Sequence, residues 1–269
     1  MKKLVTQTCL VAANKRLDAA GLYHSLVIAD FKPSHPINPG QFVHIKVAAG
    51  HDPYFRRAFS IAGYDPKSGE LEIIYKIVGR GTTRLGEKGK GDRLDIIGPL
   101  GNWFSKIPKK STVVMVAGGV GFPPLYFHAK QLIENGHDSQ KVHFFYGGRT
   151  RVDLVEMGRI KKLGVRCLPC TDDGSHGFKG LVTDAVALAL AGMNPRLTVV
   201  CGCGPEPMLA ALQELTRQCG FEGELSLEAP MPCGVGVCLG CIKPTLADPG
   251  RYVRVCHDGP VFKLGEVAL

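Results

Sequence analysis

Residues 233–256 read CGVGVCLGCIKPTLADPGRYVRVC, setting Cys233, Cys238 and Cys241 in a C-x4-C-x2-C run and adding Cys256 after fourteen intervening residues. That is the ligand spacing of a plant-type 2Fe-2S cluster. Three ligands in one short loop must wrap around the cluster, and Gly234, Gly236 and Gly240 give the backbone the freedom to do so. A loop of this kind also points N–H groups at the sulfurs, which stabilises the more negative reduced state and raises the potential. A structural zinc site is the alternative. Zinc modules usually present two close C-x2-C pairs, however, and only Cys238 and Cys241 have that spacing here.

The other six cysteines are Cys9, Cys167, Cys170, Cys201, Cys203 and Cys219. Cys167-Leu168-Pro169-Cys170 has no matching second pair, so these read as small packed residues rather than further ligands. Nothing marks export: Lys2 and Lys3 precede Thr6-Gln7-Thr8, and Asn14-Lys15-Arg16 follows too soon for a signal peptide. With no run of about 18 apolar residues, no membrane span is expected, and the cytoplasm is the expected compartment. There, cysteines are metal ligands or reduced thiols before they are disulfides.

The formal net charge of +9 suggests anionic partners. Its carriers are scattered, as at Arg56, Arg57, Lys161 and Lys162, with no aromatic-basic array, so no nucleic acid is expected and anionic cofactors are the better reading. A bound cluster with four thiolates would add about −2 to that charge.

From residue 5 to about residue 105, short β-branched stretches are broken by turns such as Asn38-Pro39-Gly40 and Asp65-Pro66-Lys67-Ser68-Gly69, which predicts an antiparallel barrel. Arg57-Ala58-Phe59-Ser60 is expected to close one strand, and Ile74-Tyr75-Lys76 to run from another into the Gly81-Thr82 turn. Arginine offers paired donors to a pyrophosphate, Ser60 a hydroxyl to a ring edge, and a Gly-Thr turn N–H groups to phosphate, so the two segments together could hold a flavin dinucleotide.

Next, Ser111 to Ala117 reads as a buried strand leading through Gly118-Gly119-Val120-Gly121 into a helix that stops at Asn135-Gly136. Pro124 stands where a Rossmann fingerprint has its third glycine, and the acidic residue after the second strand is missing. That strand ends instead in Gly147-Gly148-Arg149, with Arg151 close behind, leaving NADH and NADPH both open. Further strands at 165–168 and 197–201, separated by a helix over 182–190, predict an open parallel sheet. Cys201-Gly202-Cys203-Gly204-Pro205 leaves the last of them at a place where nicotinamide could lie; Cys201 reads equally well as a packed residue.

The expected architecture is α+β and multidomain: a β-barrel flavin domain over 1–108, an α/β parallel-sheet nucleotide domain over 109–224 and a small 2Fe-2S module over 225–269. R-x-F-S, the Gly-Thr turn, G-G-V-G, C-G-C-G-P and the terminal cysteine pattern occur here in the order that resembles the ferredoxin-NADP reductase superfamily. Pro232-Cys233 through Cys241, with Cys256-His257-Asp258-Gly259-Pro260-Val261-Phe262, is most similar to the electron-transfer subunits of NAD-dependent dihydroorotate dehydrogenases.

The resemblance implies FAD binding at Arg57 through Ser60, at Ile74 through Lys76 and at Gly81 with Thr82. It also implies cluster ligation by the four loop cysteines, while NAD is expected, from the glycine turn and the strand-end loop, at Gly118, Gly119, Gly121, Cys201 and Gly202. It implies a separate FMN-containing catalytic subunit that oxidises dihydroorotate in pyrimidine biosynthesis, in a heterotetramer of two plus two. Similar chains serve NADH-dependent ferredoxin-NADP oxidoreductase or sulfide dehydrogenase, and a zinc-binding regulatory module is the alternative of another class. No G-x-S-x-G, H-E-x-x-H or Walker pattern is present, so no catalytic acid or base is expected of this chain.

Overall fold

The computed structural model describes residues 6–48, 50 and 52–269; Met1, Lys2 and Lys3 lie outside the described residues. Strands β1 (Thr6–Arg16), β2 (Tyr23–Ala29), β3 (Phe42–Lys46), β4 (Arg57–Asp65) and β5 (Glu70–Lys76) are followed by helix α1 (Arg80–Gly86) and strand β6 (Arg93–Leu100). These six strands close an antiparallel barrel in the order β1-β2-β5-β4-β3-β6. Alternation along each strand decides which residues face its interior: Leu26, Ile28, Val43, Ile45, Ile61 and Ile73 form its core and are fully buried. Arg57–Ser60 opens β4 instead of closing a strand. Pro53, lacking an N–H, precedes it, and pairing with β3 begins at Ile45 and Arg57.

The second half alternates strand and helix: β7 (Thr112–Gly118), α2 (Phe122–Glu134), β8 (Val142–Gly148), α3 (Met157–Lys162) and β9 (Arg166–Thr171). It continues with β10 (Phe178–Lys179), α4 (Val182–Leu190), β11 (Thr198–Cys203), α5 (Glu206–Cys219) and β12 (Glu222–Ser226). Val113 to Ala117 of β7 are all fully buried, as a parallel strand covered by helices on both faces must be. Pro123 and Pro124 fit the first turn of α2, where the backbone N–H groups have no intrahelical partner. Gly220, with φ 71°, ends α5.

The last segment carries the hairpin β13 (Ile242–Pro244) and β14 (Tyr252–Arg254), then β15 (Val261–Lys263). The seven-stranded sheet has the order β10-β9-β8-β7-β11-β12-β15, and β15 is its antiparallel edge. The cysteine-bearing segment is thus stitched into the nucleotide sheet. The expected boundary at 224/225 falls inside β12, where Leu225 pairs with Phe262. Asn102, just past the barrel, adds to the seam by donating to the carbonyls of Val261 at 2.7 Å and Asp258 at 3.0 Å.

Candidate functional site

Where the barrel faces the nucleotide sheet lies a cavity of ≈ 350 Å³. Its barrel wall includes Arg57, Ala58, Phe59 and Ser60 from β4, and Ile74, Tyr75 and Lys76 from β5, with Thr82 of α1 beside them. The two sequence segments expected to share a ligand therefore meet across one space. Within them, Phe59 and Tyr75 belong to the barrel core, their rings edge to face at 5.6 Å. The alternating Ala58, Ser60, Ile74 and Lys76 point the other way.

Gly81 lies beneath the arginine: a Cβ there would stand 2.7 Å from Arg57 Nε. The Thr82 hydroxyl accepts the N–H of Val78 at 2.9 Å and of Gly79 at 3.2 Å, organising the turn that enters α1. Lys76 is held by Asp153 at 3.0 Å, and the Tyr23 hydroxyl donates to the same carboxylate oxygen at 2.6 Å. Burial alone would raise the Asp153 pKa, but the hydrogen bonds from Tyr23 and Lys76 outweigh it and hold the carboxyl below its usual range. The opposite wall was not legible in the sequence. It comes from Ser226 through Ala229 and Met231, at and beyond the end of β12 and carrying no motif of their own, and from Pro260, whose motif at 256–262 gave no hint of a place on this wall.

A second cavity of ≈ 240 Å³ opens at the carboxyl ends of β7, β8 and β11, where the sheet order reverses direction and ligands of such sheets bind. Gly118 and Gly119 line it, as do Gly147 and Gly148. Gly121 lies behind this wall, packed so tightly on the Cys203 carbonyl that no Cβ could fit. Cys201 and Gly202 are inside β11: Cys201 is 1% exposed, and a Cβ on Gly202 would meet Leu225 at 2.7 Å and Leu212 at 2.8 Å. Burial pushes the Cys201 thiol far above its usual range, and the Glu224 charge adds to this. Pro205, Pro207 and Met208, just beyond that strand, border the cavity instead, together with Asp172 and Leu181 through Thr183. Of these, Pro205 belongs to the C-G-C-G-P segment singled out in the sequence; for the others position at strand ends was the signal.

The four loop cysteines gather as two pairs. Cys241 and Cys256 are buried with their sulfurs 3.2 Å apart, while Cys233 hydrogen-bonds the thiol of the exposed Cys238. Main-chain N–H groups point at three of the sulfurs: Val235 at Cys233 (3.5 Å), Gly240 at Cys238 (3.4 Å) and Cys256 at Cys241 (3.4 Å). Gly234 and Gly236 take φ of 70° and 82°, the left-handed turns this wrapping requires.

Burial opposes ionisation of Cys233, yet the N–H groups of Val235, Cys238 and Val237 and the Cys238 thiol prevail and bring its pKa down to about 6. Burial raises Cys256 to about 12, reinforced by the Cys241 thiol. Among the described residues, no three His, Cys, Asp or Glu side chains gather around a single-ion site. Two pairs of thiols with amide donors are the donor set a binuclear iron-sulfur group takes, with two sulfurs for each iron.

Comparison with known proteins bears on both halves. Residues 228–268 match the family model for the iron-sulfur cluster binding domain of dihydroorotate dehydrogenase B, and residues 115–214 the oxidoreductase NAD-binding domain. The chain is 40% identical over 262 residues to the dihydroorotate dehydrogenase B (NAD(+)) electron transfer subunit of Geobacillus kaustophilus, covering 97% of this chain and 98% of the relative. The Bacillus caldolyticus protein of the same name matches over the same length at 40% identity. Among solved structures, a chain of the NADH-dependent reduced ferredoxin-NADP oxidoreductase superposes with a TM-score of 0.82 at 30% identity, over 97% of this chain and 89% of that one. The Amycolatopsis cytochrome P450 reductase GcoB shares the fold, with a TM-score of 0.69 at 23% identity over 81% of this chain and 67% of that one.

Proposed function

The chain belongs to the family of dihydroorotate dehydrogenase B (NAD(+)) electron transfer subunits, and on that premise we propose that it links dihydroorotate oxidation in an FMN-containing catalytic subunit to NAD, within pyrimidine biosynthesis. It is an oxidoreductase subunit that holds FAD and a 2Fe-2S cluster and takes NAD as its coenzyme. A nicotinamide exchanges two electrons as hydride, a 2Fe-2S cluster one at a time, and a flavin handles both.

The observation that carries this reading is the placement of three sites in one chain: paired thiols, a cavity on the barrel, and a glycine-walled cleft at the strand ends. Cys233, Cys238, Cys241 and Cys256 hold the cluster, and the loop N–H groups stabilise its reduced state. On the barrel, Arg57 and Lys76 offer cationic donors to the flavin pyrophosphate and Ser60 a hydroxyl, while Ala58, Ile74 and Thr82 complete that wall. Gly118, Gly119, Gly147 and Gly148 let the coenzyme approach the main chain. No side chain of this chain is required as acid or base.

The catalytic partner docks where the cluster is nearest the surface. Cys238 is exposed there, flanked by Val237 at 77% and Leu239 at 56% exposure, apolar side chains suited to a protein interface. The assembly is a heterotetramer of two subunits of each kind, in the cytoplasm. Among the described residues no helix is long and apolar enough to cross a membrane.

An absorption spectrum with iron, zinc and flavin analysis tests the reading. Flavin bands over broad iron-sulfur absorption, bleached by NADH, are expected; a colourless zinc protein would refute it. The likeness to the ferredoxin-NADP oxidoreductase chain supports a second reading, in which NADH-linked electrons pass to a ferredoxin-dependent partner. Activity with dihydroorotate separates the two.

A further inference from the structure

His44 lies in β3 with 0% of its surface exposed. Its neighbours Val43 and Ile45 belong to the barrel core, whereas Phe42 belongs to the separate apolar cluster that includes Cys241, Val255 and Cys256. Alternation therefore sends the His44 ring out of the barrel on the same side as Phe42. Gly234 comes down onto it, with φ 70°, so closely that a Cβ would stand 2.6 Å from His44 Nδ1 and 3.0 Å from Cε1. The main chain of Met231 and Cys233 lies within reach of its ring nitrogens.

The surroundings give that ring a position of consequence. Ala58, directly opposite His44 in the β3–β4 ladder, lines the larger cavity, and so does Met231. Two residues after Met231 comes Cys233. His44 thus stands under the short stretch of chain that runs from the cavity wall to the first cysteine of the loop.

We propose that His44 is a positioning residue for electron transfer: wedged between β3 and Gly234, its ring seats the Met231–Gly234 segment and so fixes the Cys233 sulfur relative to the flavin cavity. This rests on the reading of the four cysteines as cluster ligands and of the larger cavity as the flavin site. Gly234 is the complementary half of the contact, since its missing side chain is what admits the ring.

The loaded holoprotein is compared with His44→Ala, His44→Gln, Gly234→Ala and the double variant His44→Ala/Gly234→Ala. Iron and flavin content, the EPR spectrum of the dithionite-reduced cluster and the rate of cluster reduction by NADH are read for each. His44→Ala and Gly234→Ala are expected to retain flavin, shift the EPR g-values and slow cluster reduction about tenfold or more. His44→Gln, a polar group of similar reach, recovers most of the rate. The double variant, in which the new methyl takes space vacated by the ring, improves on Gly234→Ala alone.

Loss of iron with flavin retained in His44→Ala also supports the seat. If His44→Ala loses both cofactors, the double variant decides: a spectrum or rate closer to wild type than that of Gly234→Ala, with the backbone strain at φ 70° common to both, supports the proposal. A double variant no better than Gly234→Ala overturns it, as does wild-type behaviour of His44→Ala or Gly234→Ala. A wild-type protein with no iron-sulfur EPR signal would instead remove the underlying reading.

Discussion

Lys76 and Asp153 form an ion pair at 3.0 Å that ties the wall of the larger cavity to the loop leaving β8. The other oxygen of Asp153 accepts the N–H groups of Arg149 at 3.2 Å and Thr150 at 3.3 Å, next to Gly147 and Gly148 of the second cavity. One carboxylate thus braces two sites against each other. A second, bidentate pair joins Arg159 of α3 to Glu72 of β5 at 2.8 and 2.7 Å, so the barrel and the nucleotide sheet are held at two points.

Asp153→Asn removes the charge that Lys76 and Tyr23 share, and about 1–3 kcal/mol of stability is expected to go with it at neutral pH. The Asp153 pKa is depressed in the folded protein, so its contribution is present above the unfolded carboxyl pKa and fades as pH falls through the lower folded value. Melting curves should therefore show the variant and the wild type converging below about pH 4.

Gly81→Ala pushes a methyl against the Arg57 guanidinium. With the arginine displaced from the cavity wall, flavin affinity is expected to fall about tenfold, or about 1.4 kcal/mol. Flavin fluorescence on dilution measures it, and Gly89→Ala, at an open position, is the control that should leave it unchanged.

Gly121→Ala drives a methyl into the Cys203 carbonyl, where main chain meets main chain and neither side can turn away. A loss of about 1–3 kcal/mol in stability is expected, with weaker coenzyme binding as the start of α2 is forced off β11. Thermal melting and an NADH titration of the flavin absorbance report the two effects separately.

Cys241→Ser breaks the buried pair with Cys256, far from Arg57 and Ser60 in sequence and outside the lining of their cavity. The variant should lose iron while keeping flavin in full. Flavin reduction by NADH should persist, and delivery of electrons beyond it should stop.

The residues proposed to hold a ligand through a local motif were legible in the sequence. The glycines and cysteines of the loop at 233–241 follow from ligand geometry, and the β4 and β5 segments from their order along the chain. What comes from distant chain was not. β15 is three residues long, too short for a periodic signal, and its place at the sheet edge depends on pairing with β12. The cavity wall at 226–231 is formed only because β15 carries the cysteine segment back against the barrel. Cys201 and Gly202 illustrate the opposite case: a motif near a strand end suggested ligand contact, but the strand runs two residues further and keeps both in the core.

The most direct test of the account is production of NADH from dihydroorotate and NAD by this chain combined with an FMN-containing dihydroorotate dehydrogenase subunit. NADH should form only when both subunits are present, and Cys241→Ser should abolish it while orotate still forms with an artificial acceptor. Undiminished NADH production by the iron-free variant, or none from the intact pair, would contradict the account.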